Sequence, residues 1–253
     1  MSILDEFRLT GQVAIVTGAS SGLGVAFARA LTDAGASVLL AARRSDRLAS
    51  VAAAIEADGG RAVSVHCDVA DPDSCAAVAA AAIAEFGRVD ILVNNAGIGI
   101  ACPASRETPA QFRSVIDVNL NGSYWMAQAC GRLMQPGSSI VNISSVLALT
   151  TAGLPQAAYS ASKAGLIGLT RDLANQWTGR KGIRVNAIAP GFFPTEMSDQ
   201  YEVGYLDSMR SRMLIPRVGR LEECAATLVW LVSPAAGYVT GQTIVVDGGV
   251  SIT

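Results

Sequence analysis

Short runs of β-branched and aliphatic residues alternate with longer segments of helical periodicity along the whole chain, and this alternation leaves very few folds open. Strands are expected at Gln12 to Thr17, Ser37 to Ala42, Ala62 to Cys67, Val89 to Asn94, Ser139 to Ile143, Ile183 to Ala187 and Thr243 to Val246. Helices are expected at Leu23 to Asp33, Asp46 to Ala57, Ser74 to Phe86, Pro109 to Leu133, Ala158 to Trp177 and Glu222 to Leu231. A strand that leaves through a helix and returns parallel crosses over right-handed, so repeating the unit builds an α/β, doubly wound parallel sheet with helices on both faces. Strands covered on both faces read as continuous apolar runs, which suits a chain that is 51% hydrophobic and 16% charged. No repeat, low-complexity linker or composition break divides residues 1 to 253, so a single domain is expected.

Charge limits the partners. With a net charge of -2 and no long run of one sign, the chain has no basic field for a nucleic-acid backbone. No apolar run approaches a membrane span, and Met1 to Thr10 carries Asp5, Glu6 and Arg8 instead of an apolar signal core. Neither nucleic acid nor membrane is expected as a partner. The five cysteines (Cys67, Cys75, Cys102, Cys130, Cys224) lack Cys-x-x-Cys spacing and mostly sit in apolar stretches, so they read as reduced thiols in the cytoplasm. His66 is the only histidine. It has no Gly-x-Ser-x-Gly elbow to serve in a Ser-His-Asp hydrolase, and with scattered cysteines it makes no usual zinc set, so no metal site is expected.

Two constellations carry chemistry. Thr17-Gly18-Ala19-Ser20-Ser21-Gly22-Leu23-Gly24 lies where the first strand hands over to the first helix. Glycines there permit a tight turn and close approach of backbone to a pyrophosphate, while the helix N-terminus offers unpaired amides. Tyr159 and Lys163 are four residues apart on an expected helix, so both side chains project from one face. A phenol with an ordinary pKa of about 10 is a poor proton donor and acceptor near neutrality, and a neighbouring ammonium favours its ionised form. The pair forms a tuned acid and base.

The loop spacing, Gly-x-x-x-Gly-x-Gly in place of Gly-x-Gly-x-x-Gly, resembles the cofactor loop of the classical short-chain dehydrogenases/reductases. The family's other motifs follow in order: Asn94-Asn95-Ala96-Gly97, Asn119 within Asp117-Val118-Asn119-Leu120, Ser145 after an apolar strand, Tyr159-x-x-x-Lys163, Pro190-Gly191 with Thr195, and Val246-Asp247-Gly248-Gly249. The resemblance implies a Rossmann-like fold and hydride transfer between a nicotinamide and a small carbonyl or secondary alcohol. It implies Tyr159 as general acid/base beside Lys163, Ser145 holding the substrate oxygen, and Asn119 organising a water that links Lys163 to solvent. Gly18, Ser20, Ser21, Gly22, Leu23 and Gly24 would cradle the cofactor phosphates. Asp68 and Val69 would meet its adenine, and Asn95, Ala96, Gly97, Tyr159, Lys163, Pro190, Gly191, Phe193 and Thr195 the rest of it. Residue by residue, Ala42 replaces the carboxylate that bonds ribose hydroxyls in NAD-binding relatives, and Arg43 follows it, a pattern similar to NADP-preferring members. Arg44 reads as a bystander. The resemblance also implies a homotetramer, or alternatively a homodimer, built on the helices around Leu120 and Leu166 and on the last strand.

The substrate end is less defined. Ser145, Leu147, Leu154, Gln156, Phe192 and Met197, with Ile100 to Pro103, are expected to face the substrate. They are largely apolar, suiting a ketone, acyl thioester or aryl carbonyl. Yet Ile188 to Phe193 with Thr195-Glu196-Met197 resembles gluconate 5-dehydrogenases, while other stretches resemble 3-oxoacyl reductases, which keeps a sugar acid open. The irregular stretch from Phe192 to Ile215 is expected to be a substrate lid. A noncatalytic NADP-binding sensor or an assembly partner is the alternative use of such a chain, although sensors usually lack the tyrosine or lysine kept here.

Overall fold

The computed structural model describes residues 2–197 and 204–253, and its strands form one seven-stranded sheet. The strands are β1 (Val13–Thr17), β2 (Ser37–Ala42), β3 (Arg61–His66), β4 (Ile91–Asn94), β5 (Ser139–Ile143), β6 (Arg184–Pro190) and β7 (Thr243–Val246). Their order is β3-β2-β1-β4-β5-β6-β7, every pair parallel. The chain therefore starts in the middle, winds outward to β3, returns to lay β4 beside β1, and winds out the other way. The reversal between β1 and β4 is the topological switch point, where doubly wound sheets open a crevice beyond the carboxyl ends of their strands.

Side-chain alternation along each strand builds two apolar layers. Ala14, Val16, Val38 and Leu40 point to the face covered by α1 (Gly22–Asp33), α2 (Ser45–Ala57) and α8 (Leu221–Val232). Ile15, Leu39 and Ala41 point to the other face, covered by α3 (Pro72–Phe86), α5 (Gly122–Leu133) and α6 (Ala157–Lys181). Local signals fix the helix ends. Asp71 accepts from the Asp73 amide ahead of Pro72, and Gly87 closes α3 at φ 80°. The structure carries α6 past Trp177 to Lys181, where Gly182, at φ 67°, ends it.

The segment expected as one helix from Pro109 to Leu133 is continuous but not uniform. Between α4 (Pro109–Ile116) and α5 lies a π-turn, Asp117–Asn121, in which the Gly122 amide reaches back to Asp117 O. One extra residue in the turn rotates Asn119 inward, and its side chain is wholly buried.

A polar seam runs through this apolar interior. Asn94 and Asn142 are register partners on β4 and β5, and Asn94 Nδ2 donates to Asn142 Oδ1 at 2.9 Å and to Ser123 O at 3.0 Å. Asn142 Nδ2 donates to Thr170 Oγ1 on α6 at 2.9 Å, and Ser123 Oγ to Asn119 O at 2.8 Å. The seam thus fixes α5, the π-turn and α6 against the middle of the sheet.

The expected lid is only partly described, since residues 198–203 lie outside the described residues. Its second half is anchored. A short helix, α7 (Tyr205–Met209), and the turn after it pack through Met209 and Met213 on Val146, Leu147, Ala152 and Phe192, and Tyr205 Oη donates to Ala152 O at 2.7 Å. Among the described residues no helix is long and apolar enough to cross a membrane.

Replacing Asn142 by Leu should leave Asn94 and Thr170 each short of a buried partner and cost about 1–3 kcal/mol. Urea unfolding should show a lower midpoint at unchanged slope. A change below about 0.5 kcal/mol, the size of an ordinary surface substitution, would mean the seam does not hold α6.

Candidate active site

Beyond the carboxyl ends of the strands lies a cleft of about 540 Å³. Its walls bring together Gly18, Ser20 to Gly24, Arg43, Asp68, Val69, Asn95 to Gly97, Ser145, Leu147, Tyr159, Lys163, Pro190 to Phe193, Thr195 and Met197.

The glycine-rich loop explains its own spacing. Gly18 sits at φ 65°, and a Cβ there would come within 2.8 Å of Ala96 Cα; a Cβ on Gly24 would strike the Gly18 carbonyl. The loop can pass between β1 and the Asn95-Ala96 turn only with both side chains absent. Asn95 locks that turn from the other side, with Nδ2 donating to Thr17 O at 2.9 Å and to Gly18 O at 3.2 Å, and its amide to Thr17 Oγ1 at 3.0 Å. Ser21 stands at the N-cap of α1 without capping it, and no acidic residue occupies the first turn. The amides that begin α1 keep their partial positive charge toward the cleft.

Tyr159 and Lys163 lie one turn apart on α6, with Lys163 Nζ 5.6 Å from the Tyr159 ring centroid. Lys163 is buried and donates to Ile143 O at 2.7 Å. Burial pushes its ammonium down to about 8, since the charged form loses water it regains only in part. Ser145, at the end of β5, accepts from the Leu147 amide at 3.1 Å and opens a single 3-10 turn, Val146–Ala148. Asn119 spends its side chain on the loop after β4: Oδ1 accepts from the Ile98 amide at 2.8 Å, and Nδ2 donates to Ile98 O at 2.9 Å and Ser162 Oγ at 3.0 Å. A Cβ on Gly97 would lie 3.4 Å from both Asn119 Oδ1 and Lys163 Nζ, so these two polar groups flank one point of the cleft floor.

Of the expected substrate contacts, Leu154 does not line the cleft. It belongs to the strap before α6, where Pro155 O accepts from the Cys102 amide at 2.8 Å. Gln156 is also absent from the main wall, but it is buried behind Gly99, whose Cβ position is 3.5 Å from Gln156 Nε2, 3.5 Å from Tyr159 Cδ2 and 3.6 Å from Met197 Sδ. Gln156 Oε1 is buried with no partner among the described residues.

Arg44 is not a bystander. Its Nε and Nη2 donate to Ser20 Oγ, Nη2 also to Ser21 Oγ, and Nη1 to Glu196 Oε2 at 2.9 Å. Arg47, one turn along α2, holds the other oxygen of Glu196. These bonds to Arg44, then Arg47, hold the Glu196 carboxyl down to about 2. Arg43 is exposed on the cleft wall with no side-chain bond among the described residues. The i, i+3 spacing of Arg44 and Arg47 was open to reading in the sequence; their partner, 152 and 149 residues away, was not.

His66 is exposed at the end of β3, away from these groups, and among the described residues no cluster of three His, Cys, Asp or Glu side chains is placed to hold a metal ion. The described cysteines are all free thiols, and burial pushes Cys130 and Cys224 up to about 12.

A family model described as enoyl-(acyl carrier protein) reductase matches residues 18–251. A 3-oxoacyl-[acyl-carrier-protein] reductase of Synechocystis is 41% identical over 95% of this chain and 97% of its own. A gluconate 5-dehydrogenase of Gluconobacter oxydans is 36% identical over the full length of both. A short-chain dehydrogenase from Burkholderia cenocepacia, crystallised in complex with NADP, superposes with a TM-score of 0.91 at 36% identity, covering 96% of this chain and 99% of that one. With its parallel seven-stranded sheet, its glycine-rich switch-point loop and its Tyr-Lys pair at the cleft floor, this chain belongs to the short-chain dehydrogenase/reductase family of oxidoreductases.

Proposed function

We propose that the chain, as one domain over residues 1 to 253, is an NADP(H)-dependent oxidoreductase that interconverts a small carbonyl compound and its secondary alcohol. The single observation that carries this reading is the pairing of Tyr159 with the buried ammonium of Lys163 at the floor of a cleft whose rim offers uncapped helix amides.

The cleft suits a dinucleotide on its own terms. Gly18 to Gly24 line the cleft with bare backbone, the first amides of α1 are uncapped, and Ala42 leaves the ribose position without a carboxylate while Arg43 stands open beside it. Gly18 to Gly24 would hold the pyrophosphate, Asp68 and Val69 the adenine, Arg43 the 2′-phosphate, and Asn95 to Gly97, Pro190, Gly191, Phe193 and Thr195 the remainder. When bound, the nicotinamide supplies or accepts a hydride.

The protein's own groups do the rest. Tyr159 Oη gives a proton to the carbonyl oxygen in reduction and takes it back in oxidation. Lys163, held by Ile143 O, keeps a positive charge near the phenol and favours its ionised state. Ser145, whose Oγ accepts from the Leu147 amide, turns its hydrogen toward the substrate oxygen. Asn119 fixes the loop carrying Gly97 and Ile98 and stands beside Lys163 on the path by which the lysine exchanges protons with solvent. Leu147, Phe192 and Met197 make the substrate end largely apolar, which favours a ketone or acyl thioester. The unpartnered Gln156 Oε1 favours a second reading, a hydroxylated substrate such as a sugar acid that gives this oxygen a donor. The enzyme works in the cytoplasm as a homotetramer, a reading supported by its free thiols and by exposed apolar side chains such as Phe112 and Leu149.

A panel of acetoacetyl thioesters, aryl ketones, xylulose and gluconate-type ketones, followed by loss of NADPH absorbance, tests the reaction class. At least one should turn over; none doing so would favour a sensor. With the active carbonyl, Tyr159→Phe should lose about 10²- to 10⁴-fold in kcat while binding NADPH normally, and retention of more than about a tenth of the rate would remove Tyr159 from the role. Lys163 gives a stability test with a definite sign. Its pKa falls from 10.5 to about 8 on folding, so between those values the unfolded chain binds the extra proton and stability rises with pH. Lys163→Met should abolish that rise, lose activity and be about 3 kcal/mol more stable than wild type at pH 7. Parallel stability profiles for the two proteins would show that Lys163 carries no buried-charge penalty.

A further inference from the structure

The mouth of the cleft carries an ion cluster to which the proposed function gives no role. Arg44 and Arg47 lie beside Arg43 where β2 runs into α2, and opposite them stands Glu196, between Thr195 and Met197 on the loop that borders the substrate end. Each carboxylate oxygen of Glu196 takes one guanidinium, Oε2 that of Arg44 and Oε1 that of Arg47. The remaining donors of Arg44 are committed to Ser20 and Ser21. That leaves Nη1, the group facing Glu196, as the one an incoming anion would have to win. The anion expected there is chemically similar to what it would replace: a doubly charged phosphate, with oxygens spaced to bridge two guanidinium groups.

We infer that Glu196 is a tethered stand-in for the 2′-phosphate, occupying Arg44 and Arg47 and setting how strongly the protein prefers a phosphorylated dinucleotide over an unphosphorylated one. The inference rests on the NADP reading above and adds to it the residues that tune the preference. Arg43 meets the phosphate without competition, whereas the Nη1 groups of Arg44 and Arg47 are reached only by displacing Glu196. A carboxylate so close to the phosphate also repels it, so Glu196 works against the phosphorylated cofactor twice, by holding its partners and by its own charge. An NAD-type ribose, which brings no charge, leaves the cluster intact. Displacement has a consequence along the chain. Thr195 packs on Gly22 at the start of α1, with its Cγ2 3.1 Å from the Gly22 Cβ position, and Met197 lies against Gly99 at the substrate end. Glu196 thus lies between a contact at the phosphate cradle and one at the substrate wall, so its displacement bears on both.

The test is equilibrium titration of the full chain with 2′,5′-ADP, 5′-AMP, NADPH and NADH, read by calorimetry. Loss of a charge-assisted competitor at one site corresponds to about tenfold in affinity. Glu196→Gln should bind 2′,5′-ADP and NADPH about tenfold more tightly than wild type, with 5′-AMP and NADH changed less than about twofold. In an Arg44→Gln, Arg47→Gln background the same substitution should gain clearly less than tenfold, since only the direct repulsion between carboxylate and phosphate is left to remove. Wild type preferring NADPH while Glu196→Gln leaves the ratio unaltered would overturn the inference and leave the cofactor reading standing. Wild type binding 5′-AMP and NADH as tightly as their phosphorylated counterparts would overturn both. Glu196 is half exposed, so the variant tests the charge and not the fold, and unchanged thermal unfolding of the unliganded protein checks this.

Discussion

Everything in the molecule depends on the contact between the ends of β1 and β4. A parallel sheet that winds outward both ways from its middle leaves two adjacent strand ends whose chains depart to opposite faces. That divergence opens a crevice, and it must be closed at the bottom without being filled. Thr17, Gly18 and Asn95 do this: the Asn95 amide and side chain take the Thr17 hydroxyl and the carbonyls of Thr17 and Gly18, while the missing side chains of Gly18 and Gly24 let the first turn of α1 settle against the Asn95-Ala96 turn. A methyl group at either glycine would push the two turns apart. The part of the cleft at the N-terminus of α1 is thus a by-product of topology, sharpened by three hydrogen bonds.

The second constraint is electrostatic and lies deeper. A lysine ammonium in a protein interior is costly, and Lys163 is tolerated because Ile143 O accepts from it and because α6 is pinned by Thr170 to the asparagine pair in the sheet. The polar seam from Asn119 through Ser123, Asn94 and Asn142 to Thr170 buries amides and hydroxyls that an apolar core would do without. Its return is directional: unlike apolar packing, hydrogen bonds fix the rotation of α6 and of the π-turn, and with it where Tyr159, Lys163 and Asn119 point. Stability is given up in the centre of the molecule for orientation at the cleft.

Much of this was legible in the sequence, because the information is local. Alternating apolar runs and helical periods located every strand and the doubly wound order, and the glycine spacing and the Tyr-Lys interval each describe one turn of backbone. What was not legible depends on pairs far apart in the chain. Arg44 looked like a solvated loop residue because its partner Glu196 follows 152 residues later. Leu154 was expected to face the substrate because it is near Tyr159 in sequence, but it does not line the cleft, and the next residue, Pro155, is bonded to the Cys102 amide far earlier in the chain. The π-turn at Asp117–Asn121 has no periodicity signature, since a single extra residue leaves the apolar stripe of a long helix nearly intact. The stretch expected as a lid has a first part tied to Arg44 and Arg47 through Glu196 and a last part packed on the 146–152 turn through Met209, Met213 and Tyr205, contacts with residues far away in the chain.

The central claim is that the uncapped start of α1 and the arginines after β2 receive the two phosphate-bearing regions of one dinucleotide. Amide hydrogen exchange reads both regions at once, in the full-length protein and without a substrate. On adding NADPH, amides from Gly18 to Gly24 and from Arg43 to Arg47 should both slow, by about tenfold or more if binding adds at least about 1.4 kcal/mol to the local opening free energy. NADH should slow the first region and leave the second nearly unchanged. Protection confined to other parts of the chain, or equal protection of residues 43–47 by NADH, would contradict the account.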